Sequence, residues 1–201
     1  MIIYAQWDTI PRNGDVLDWV DENFLRPDPF AFSEEFWRKF TLKCSRLLGV
    51  EANGVYCIGS GALGYSLSPE KMRRSKPKLF DEKSDIDLAI ISHRYFEDSW
   101  RHLRSISHPA QEALDKEFRE NIKWQKKRLF DGAILVNHFV EYLPYGEVWL
   151  RGMSQLAQMV SVELGREVEI GLWIYRDYWS VRNYVAEGAV AVARLEGSSN
   201  E

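Results

Sequence analysis

The stretches GVYCIGSGALGYSLS (54–68) and KSDIDLAIIS (83–92) decide the fold of this chain. The first begins with a short apolar run of strand character and continues into a glycine-rich segment. The second contains IDLAIIS (86–92), the clearest buried strand in the sequence. Apolar strands of this kind are buried beneath helices, so the two stretches predict the centre of an α/β domain.

The segment Gly59-Ser60-Gly61 follows the first strand and precedes a helix or turn. Glycine lets the backbone approach a ligand closely, and a helix N-terminus offers free N–H groups to an anion. The hydroxyl of Ser60 adds a further donor. These residues are candidates for binding phosphate groups, and the alternative is an ordinary connection between a strand and a helix.

Asp85 and Asp87 are two residues apart on the second strand, so their side chains project from the same face. Ile86 and Leu88 point the other way, into the core. Two neighbouring carboxylates repel each other, and a divalent cation such as Mg²⁺, which prefers oxygen ligands, relieves that repulsion. The pair is a candidate metal site, and the alternative is that both acids face water.

Taken together, CIGSGALG and KSDIDLAIIS resemble the DNA polymerase β-type nucleotidyltransferase superfamily. The motif SDIDL most resembles the corresponding motif of the small bacterial nucleotidyltransferase domains of toxin–antitoxin and phage-defence systems. The resemblance covers residues 54–92 well and extends weakly to 175. It implies an α/β nucleotidyltransferase fold, with a small mixed sheet flanked by helices and with N- and C-terminal helical additions. We expect residues 1–50 to be a helical extension packed on a core domain of residues 51–201, with the whole forming a single compact unit.

The resemblance also implies which residues hold the metal. Asp85 and Asp87 would bind Mg²⁺ or Mn²⁺ as catalytic residues, together with a third carboxylate on a later strand. Glu169, in EVEIGLWIY (167–175), is the first candidate for that role, although the family more often has Asp there. Glu167 and Glu141 are the second and third candidates, and a solvent-facing Glu169 is the alternative.

The interval between Ser60 and Asp85 is longer than in compact members of the superfamily, and residues 69–83 fill it. Two prolines predict a loop there, which we expect to be mobile without ligand. Five cations of this loop could bind phosphates or a nucleic-acid backbone: Lys71, Arg73, Arg74, Lys76 and Lys78. We expect Arg73, Arg74 and Lys76 to bind nucleotide with Gly59, Ser60 and Gly61, and the alternative is a solvated insertion.

The function implied by the resemblance is metal-dependent transfer of a nucleoside monophosphate from a nucleoside triphosphate to an acceptor hydroxyl. RNA, protein and nucleotide acceptors all stay open, and a toxin–antitoxin or phage-defence system is the expected context. The alternative is a catalytically inactive module of the same fold, which binds a nucleotide or an effector or toxin protein as a regulatory or antitoxin-like subunit.

The composition of the chain indicates the cellular compartment in which we expect it. The chain has 201 residues and a formal net charge of -4, so any attraction to polyanions must be local. It shows no apolar run of the ~20 residues that span a bilayer, and its start does not resemble a signal peptide. Two cysteines outside any metal-binding motif are expected to be buried and reduced. We therefore expect a cytoplasmic protein without a membrane partner.

Overall fold

The computed structural model describes residues 9–11, 15–25, 28–72, 76–107 and 116–197. Within these ranges the chain forms seven α-helices and four strands, which agrees with the predicted α/β class. The helices are α1 (Val16–Asn23), α2 (Glu34–Leu48), α3 (Ser60–Leu63), α4 (His93–Ile106), α5 (Lys116–Phe130), α6 (Gly146–Leu164) and α7 (Tyr178–Gly197). The strands are β1 (Val55–Ile58), β2 (Ile86–Ile91), β3 (Ala133–Leu135) and β4 (Ile170–Tyr175).

The four strands form one mixed sheet in the order β1-β2-β4-β3. Strand β2 pairs antiparallel with β1 and parallel with β4, and β3 pairs antiparallel with β4. The prediction that the strands near 54–58, 86–91 and 167–174 share one mixed sheet is confirmed. The edge strand β3 was not predicted, because three apolar residues in a stretch without clear periodicity give no distinctive signal.

One face of the sheet is fully buried and carries Leu88, Ile90, Leu172 and Ile174. It packs against the pair formed by α2 and α6. Helix α2 begins where the sequence predicts, since the Ser33 hydroxyl accepts a hydrogen bond from the Phe36 N–H at 3.2 Å. The Trp149 indole of α6 donates to the carbonyl of Leu48 at 3.1 Å, which joins the N-terminal helices to the core.

The other face of the sheet carries Asp87 and is partly covered by α7, whose Tyr184 packs against Trp173 and Tyr175. Helix α1 lies against α7. Arg182 of α7 holds it there, with its Nε donating to Asp21 Oδ1 at 2.8 Å. The N- and C-terminal helical additions therefore contact each other on this side of the molecule.

Helix α5 closes the open edge of the sheet beside β3. The buried Gln125 side chain donates to the carbonyl of Ala133 at 2.6 Å and accepts from the N–H of Leu135 at 3.1 Å. A side-chain amide thus pairs with the outer edge of β3 as a neighbouring strand would. The helix predicted for 110–130 is described from Lys116 onward. Residues 108–115, which include its predicted start, lie outside the described ranges.

The strand predicted for 167–175 begins later, at Ile170, so Glu167 and Glu169 precede β4 instead of lying on it. The start of β4 is set by the lengths of the two strands that pair with it, β2 and β3. Strand β2 begins only at Ile86, whose N–H already pairs with the carbonyl of Glu169 at 3.1 Å. On the other side β3 has only three residues, and the side chain of Asn137 takes over the pairing with Ile170 and Leu172.

Cys44 and Cys57 are free and buried, as expected. Burial raises the pKa of the Cys44 thiol to about 12, so it is protonated at neutral pH.

Within the described ranges, every helix is too short or too polar to traverse a lipid bilayer.

Candidate active site

Asp87 lies on β2 with its carboxylate between two glycines. The register places Gly171 of β4 directly opposite, and a Cβ built there would overlap Oδ1 of Asp87. A Cβ on Gly59 would lie 2.8 Å from Oδ2. Any larger residue at these two positions would displace the carboxylate, so both glycines serve the close approach of Asp87. Asp85 precedes β2 and is exposed.

The surroundings of Asp87 raise its pKa and so disfavour its ionised form. Burial raises the pKa of Asp87 to about 6, the positive charge of Lys71 opposes that rise, and the negative charge of Asp85 adds to it. A hydrogen bond from Trp173 lowers the pKa by a smaller amount. A cation placed between Asp85 and Asp87 would offset both the burial and the repulsion.

A tight turn over residues 81–84 immediately precedes Asp85. The Asp81 carboxylate accepts hydrogen bonds from the Lys83 N–H at 3.0 Å and the Ser84 hydroxyl at 2.9 Å. Arg166 then clamps the turn from outside, since its guanidinium donates to the carbonyl of Ser84 at 2.6 Å. Arg166 is therefore a positioning residue for the start of β2.

The glycine-serine turn connects β1 to α3 beside Asp87. Gly59 has φ +67° and ψ -153°, a conformation that L side chains rarely adopt. Gly61 is buried, and a Cβ there would lie 3.0 Å from Ile86 Cδ1, so α3 packs closely on β2. The N–H groups of Ser60 and Gly61 donate to no backbone carbonyl in the described ranges. Their binding of an anion stays a prediction.

Among the described residues of the basic loop, the charge of Lys71 acts on the acid pair. Lys71 ends a 3-10 turn at 69–71, and its charge lowers the pKa of Asp87. Lys78 is 3.7 Å from Asp81 in an ion pair, and Lys76 is exposed. Arg73 and Arg74 lie outside the described residues. Their assignment as nucleotide-binding residues stays a prediction.

The third carboxylate is not grouped with the other two. Extending the register of β2 and β4 by one residue places Glu169 opposite Asp85, but the Glu169 side chain is exposed. Glu167 and Glu141 are exposed as well. Throughout the described part of the chain, no three His, Cys, Asp or Glu side chains are close enough to hold a metal ion together. The role of Glu169 stays a prediction.

An aromatic cluster continues the site toward the β3 edge of the sheet. Trp173, two residues after Gly171 on the same face, contacts Trp124 of α5 with 6.1 Å between ring centroids. Tyr175 and Tyr184 complete the cluster. Near it, three buried polar atoms have no hydrogen-bond partner among the described residues: the hydroxyl of Tyr175, Nε of Arg128 and Nδ1 of His138, whose ring centroid is 5.2 Å from that of Trp124. The aromatic cluster is therefore well packed, but some buried polar atoms beside it make no hydrogen bond to a described residue.

Comparison of the chain with known proteins identifies no relative. No family model, curated protein or solved structure matches the chain. The functional interpretation therefore depends on the acid pair, the glycine-serine turn and their surroundings.

Sequence reasoning missed two residues that shape the site. Gly171 has a signal that points to it, because a glycine inside a strand often marks the close approach of another group. Arg166 has none, because it acts on Ser84 across 82 residues of sequence. Long-range contacts of this kind leave no periodic pattern.

Proposed function

We propose that this chain is a metal-dependent nucleotidyltransferase that moves a nucleoside monophosphate from a nucleoside triphosphate to an acceptor hydroxyl. One observation carries the proposal. The carboxylate of Asp87, near the start of β2, lies between Gly59 of the glycine-serine turn and Gly171 of β4. Asp85 immediately precedes the strand, and its negative charge adds to the raised pKa of Asp87.

The donor set fits a divalent cation. Two carboxylates are hard oxygen ligands. Burial, together with the negative charge of Asp85, raises the pKa of Asp87, and a bound cation would favour its ionised form. Asp85 and Asp87 would hold Mg²⁺ or Mn²⁺. The bound ion would supply charge neutralisation and Lewis-acid polarisation at the transferred phosphate.

The other residues have roles that follow from their positions. The N–H groups of Ser60 and Gly61 and the Ser60 hydroxyl would bind phosphate oxygens, with Lys71 adding positive charge. Trp173 slightly lowers the pKa of Asp87 and so favours its ionised form. Glu169, opposite Asp85 by register, is proposed to accept the proton of the acceptor hydroxyl.

A second candidate is a catalytically inactive module that binds a nucleotide or an effector protein. The observation that favours it is the acid pair without a grouped third carboxylate in the described ranges. Such a module keeps ligand binding at the glycine-serine turn and loses transfer. The two candidates therefore differ in turnover and agree in binding.

The double variant Asp85→Asn, Asp87→Asn tests the site. It removes the repulsion and leaves the buried face of β2 intact, so in chelator it should be at least as stable as the parent. The parent should gain thermal stability from Mg²⁺ with a nucleoside triphosphate, and the variant should not, because a ligand stabilises only the state that binds it. The exposed pair Asp15→Asn, Asp98→Asn is the matched control and should behave as the parent.

Transfer is measured with α-labelled nucleoside triphosphates, Mg²⁺ or Mn²⁺, and candidate RNA and protein acceptors. Label in an acceptor with the parent and none with the double variant supports the enzyme. Ligand-dependent stabilisation without any transfer supports the inactive module. If no nucleotide stabilises the parent, both candidates fail, and if the double variant unfolds in chelator, the aspartates are structural.

A further inference from the structure

The second half of α5 is strongly basic in an acidic protein. The whole chain has a net charge of -4, whereas α5 has six basic and two acidic side chains. Both acids are in its first half, so residues 121–130 have no acidic side chain. Lys123, Lys126 and Lys127 are exposed and form no ion pair with any residue that the structure describes.

The exposed cations of the other helices are only partly paired. Lys39 of α2 pairs with Glu35 at 2.6 Å and Arg151 of α6 with Glu147 at 3.0 Å. Arg38, Lys43 and Arg46 of α2 are exposed without an ion pair to a described residue, so what distinguishes α5 is the exposed aromatic rings beside its lysines. Compensation of the helix dipole accounts only for cations in the last turn, such as Lys127. Lys123 and Lys126 lie before that turn. Their positive charge is thus not used within the described fold.

Exposed aromatic rings alternate with these cations. Phe130, at the end of α5, is 94% exposed, and Trp179, at the start of α7, is 62% exposed. Trp124 is 43% exposed, with the Arg128 guanidinium 5.1 Å from its ring centroid. Phe130 and Trp179 expose their rings around one cavity, and clustered apolar exposure of this kind is typical of an interaction site.

Phe130 and Trp179 line one cavity of about 410 Å³ between the end of α5 and the start of α7. Arg176 lies at the same cavity, and so do the acidic side chains of Asp131 and Glu187. Two aromatic rings with carboxylates beside them suit a flat base, since bases stack on rings and carboxylates accept from their amino groups. Phosphates would lie instead along the lysines.

The stripe formed by Lys123, Lys126 and Phe130 runs along one side of α5 for roughly 10 Å. Trp124 also contacts Trp173 of β4, which lies on the sheet face that carries Asp87.

We propose that α5 and the start of α7 form a binding surface for single-stranded nucleic acid. The α5 surface consists of Lys123, Trp124, Lys126, Lys127, Phe130 and Trp179. Lysines neutralise the phosphodiester backbone, and the rings stack on unpaired bases, which a duplex does not offer. Binding does not require the proposed transfer; that the bound strand is also the acceptor rests on the proposed function.

The test is the fluorescence anisotropy of labelled strands of about 15 nucleotides. RNA and DNA of one sequence, each single-stranded and as a duplex, are titrated with the full chain at several salt concentrations. The variant Lys123→Gln, Lys126→Gln, Lys127→Gln should weaken single-strand binding by about tenfold or more and reduce the salt slope by about 2. The variant Phe130→Ser, Trp179→Ser should weaken it by about fivefold or more with the slope unchanged.

The matched control neutralises three exposed cations of α2, Arg38→Gln, Lys43→Gln and Arg46→Gln, and should bind as the parent does. Far-ultraviolet circular dichroism and thermal unfolding confirm that each variant is folded. The proposal is overturned if the α2 control loses as much affinity, if duplex binds as tightly as single strand, or if the α5 variants bind normally.

The Asp85→Asn, Asp87→Asn variant separates this inference from the proposed function. It should bind single strands at least as tightly as the parent, because it loses two negative charges near the α5 surface and no cation. Retained binding with abolished transfer supports both. If the parent binds strands through α5 but never transfers a nucleotide, the transferase proposal fails and the surface stands. Tighter binding of RNA than of DNA would assign the ligand to RNA.

Discussion

Asp87 combines properties that rarely occur in one surface residue. It lies between two glycines, beside a second carboxylate, and burial raises its pKa to about 6. The folded protein therefore holds a proton on Asp87 at a pH where the unfolded chain, with the ordinary value of 3.8, has released it. Since the folded state binds more protons between these values, the free energy of unfolding falls as pH rises from about 4 to about 6.

The variant Asp87→Asn should therefore be more stable than the parent above pH 6 in the presence of chelator. The gain should disappear toward pH 4, where the parent carboxyl is protonated. Its upper limit is about 3 kcal/mol, from a shift of about two pKa units. The amide oxygen can still accept from Trp173.

Urea unfolding between pH 4 and 8 measures this profile, with the exposed Asp15→Asn as a control that should follow the parent. A variant less stable than the parent at pH 7 would show that the ionised carboxylate is a structural element and not a strained ligand.

At the scale of elements, helix α5 depends on one buried amide. Gln125 satisfies a carbonyl and an N–H on the outer edge of β3, at 2.6 Å and 3.1 Å. A three-residue edge strand has few other contacts to hold it in register. The same helix presents the proposed nucleic-acid surface on its opposite side, so the attachment of α5 to the sheet also sets the position of that surface.

Replacement of Gln125 by Ala should destabilise the protein by about 2–4 kcal/mol, because two buried backbone groups lose their partners. The exposed Gln155 of α6 is the matched control, and Gln155→Ala should be within about 0.5 kcal/mol of the parent. Chemical denaturation gives the difference, and hydrogen exchange should rise at residues 133–135. Equal stability of the two variants would mean that the edge is held by other contacts.

At the scale of the whole molecule, the N-terminal helices and the sheet share one buried core. Phe40 and Leu48 of α2 belong to the same cluster as Leu88 and Leu172, and Trp149 donates to the carbonyl of Leu48. The expectation that residues 1–50 pack on a domain of residues 51–201 in a single compact unit stays a prediction. The core is continuous across that boundary.

A chain lacking residues 1–50 should consequently fail to fold cooperatively. Its α6 would expose Trp149 and its sheet would lose the cover that α2 provides, a loss far larger than the stability of a typical domain can absorb. Calorimetry of the full chain should show one transition, and the truncated chain should show none. A truncated protein with a cooperative transition would establish an independent domain.

The elements with strong local patterns could be predicted from the sequence. Ser33 and Gly49 bound α2 as predicted, because caps and turns are decided by neighbouring residues. The spacing of Asp85 and Asp87 predicts that both lie on one face of a strand. The structure places Asp87 on β2 and Asp85 just before it, so the shared face stays a prediction. The strand content of residues 86–91 follows from their apolar run in the same way.

Tertiary structure alone decided what surrounds those residues. That Gly171 lies opposite Asp87, that Arg166 clamps the turn at Ser84, and that β4 begins only at Ile170 all depend on pairing between distant segments. The α5 surface likewise acquires its cavity only when α7 packs beside it. Local sequence determines which face a side chain takes, whereas strand order and register depend on burial across the whole chain.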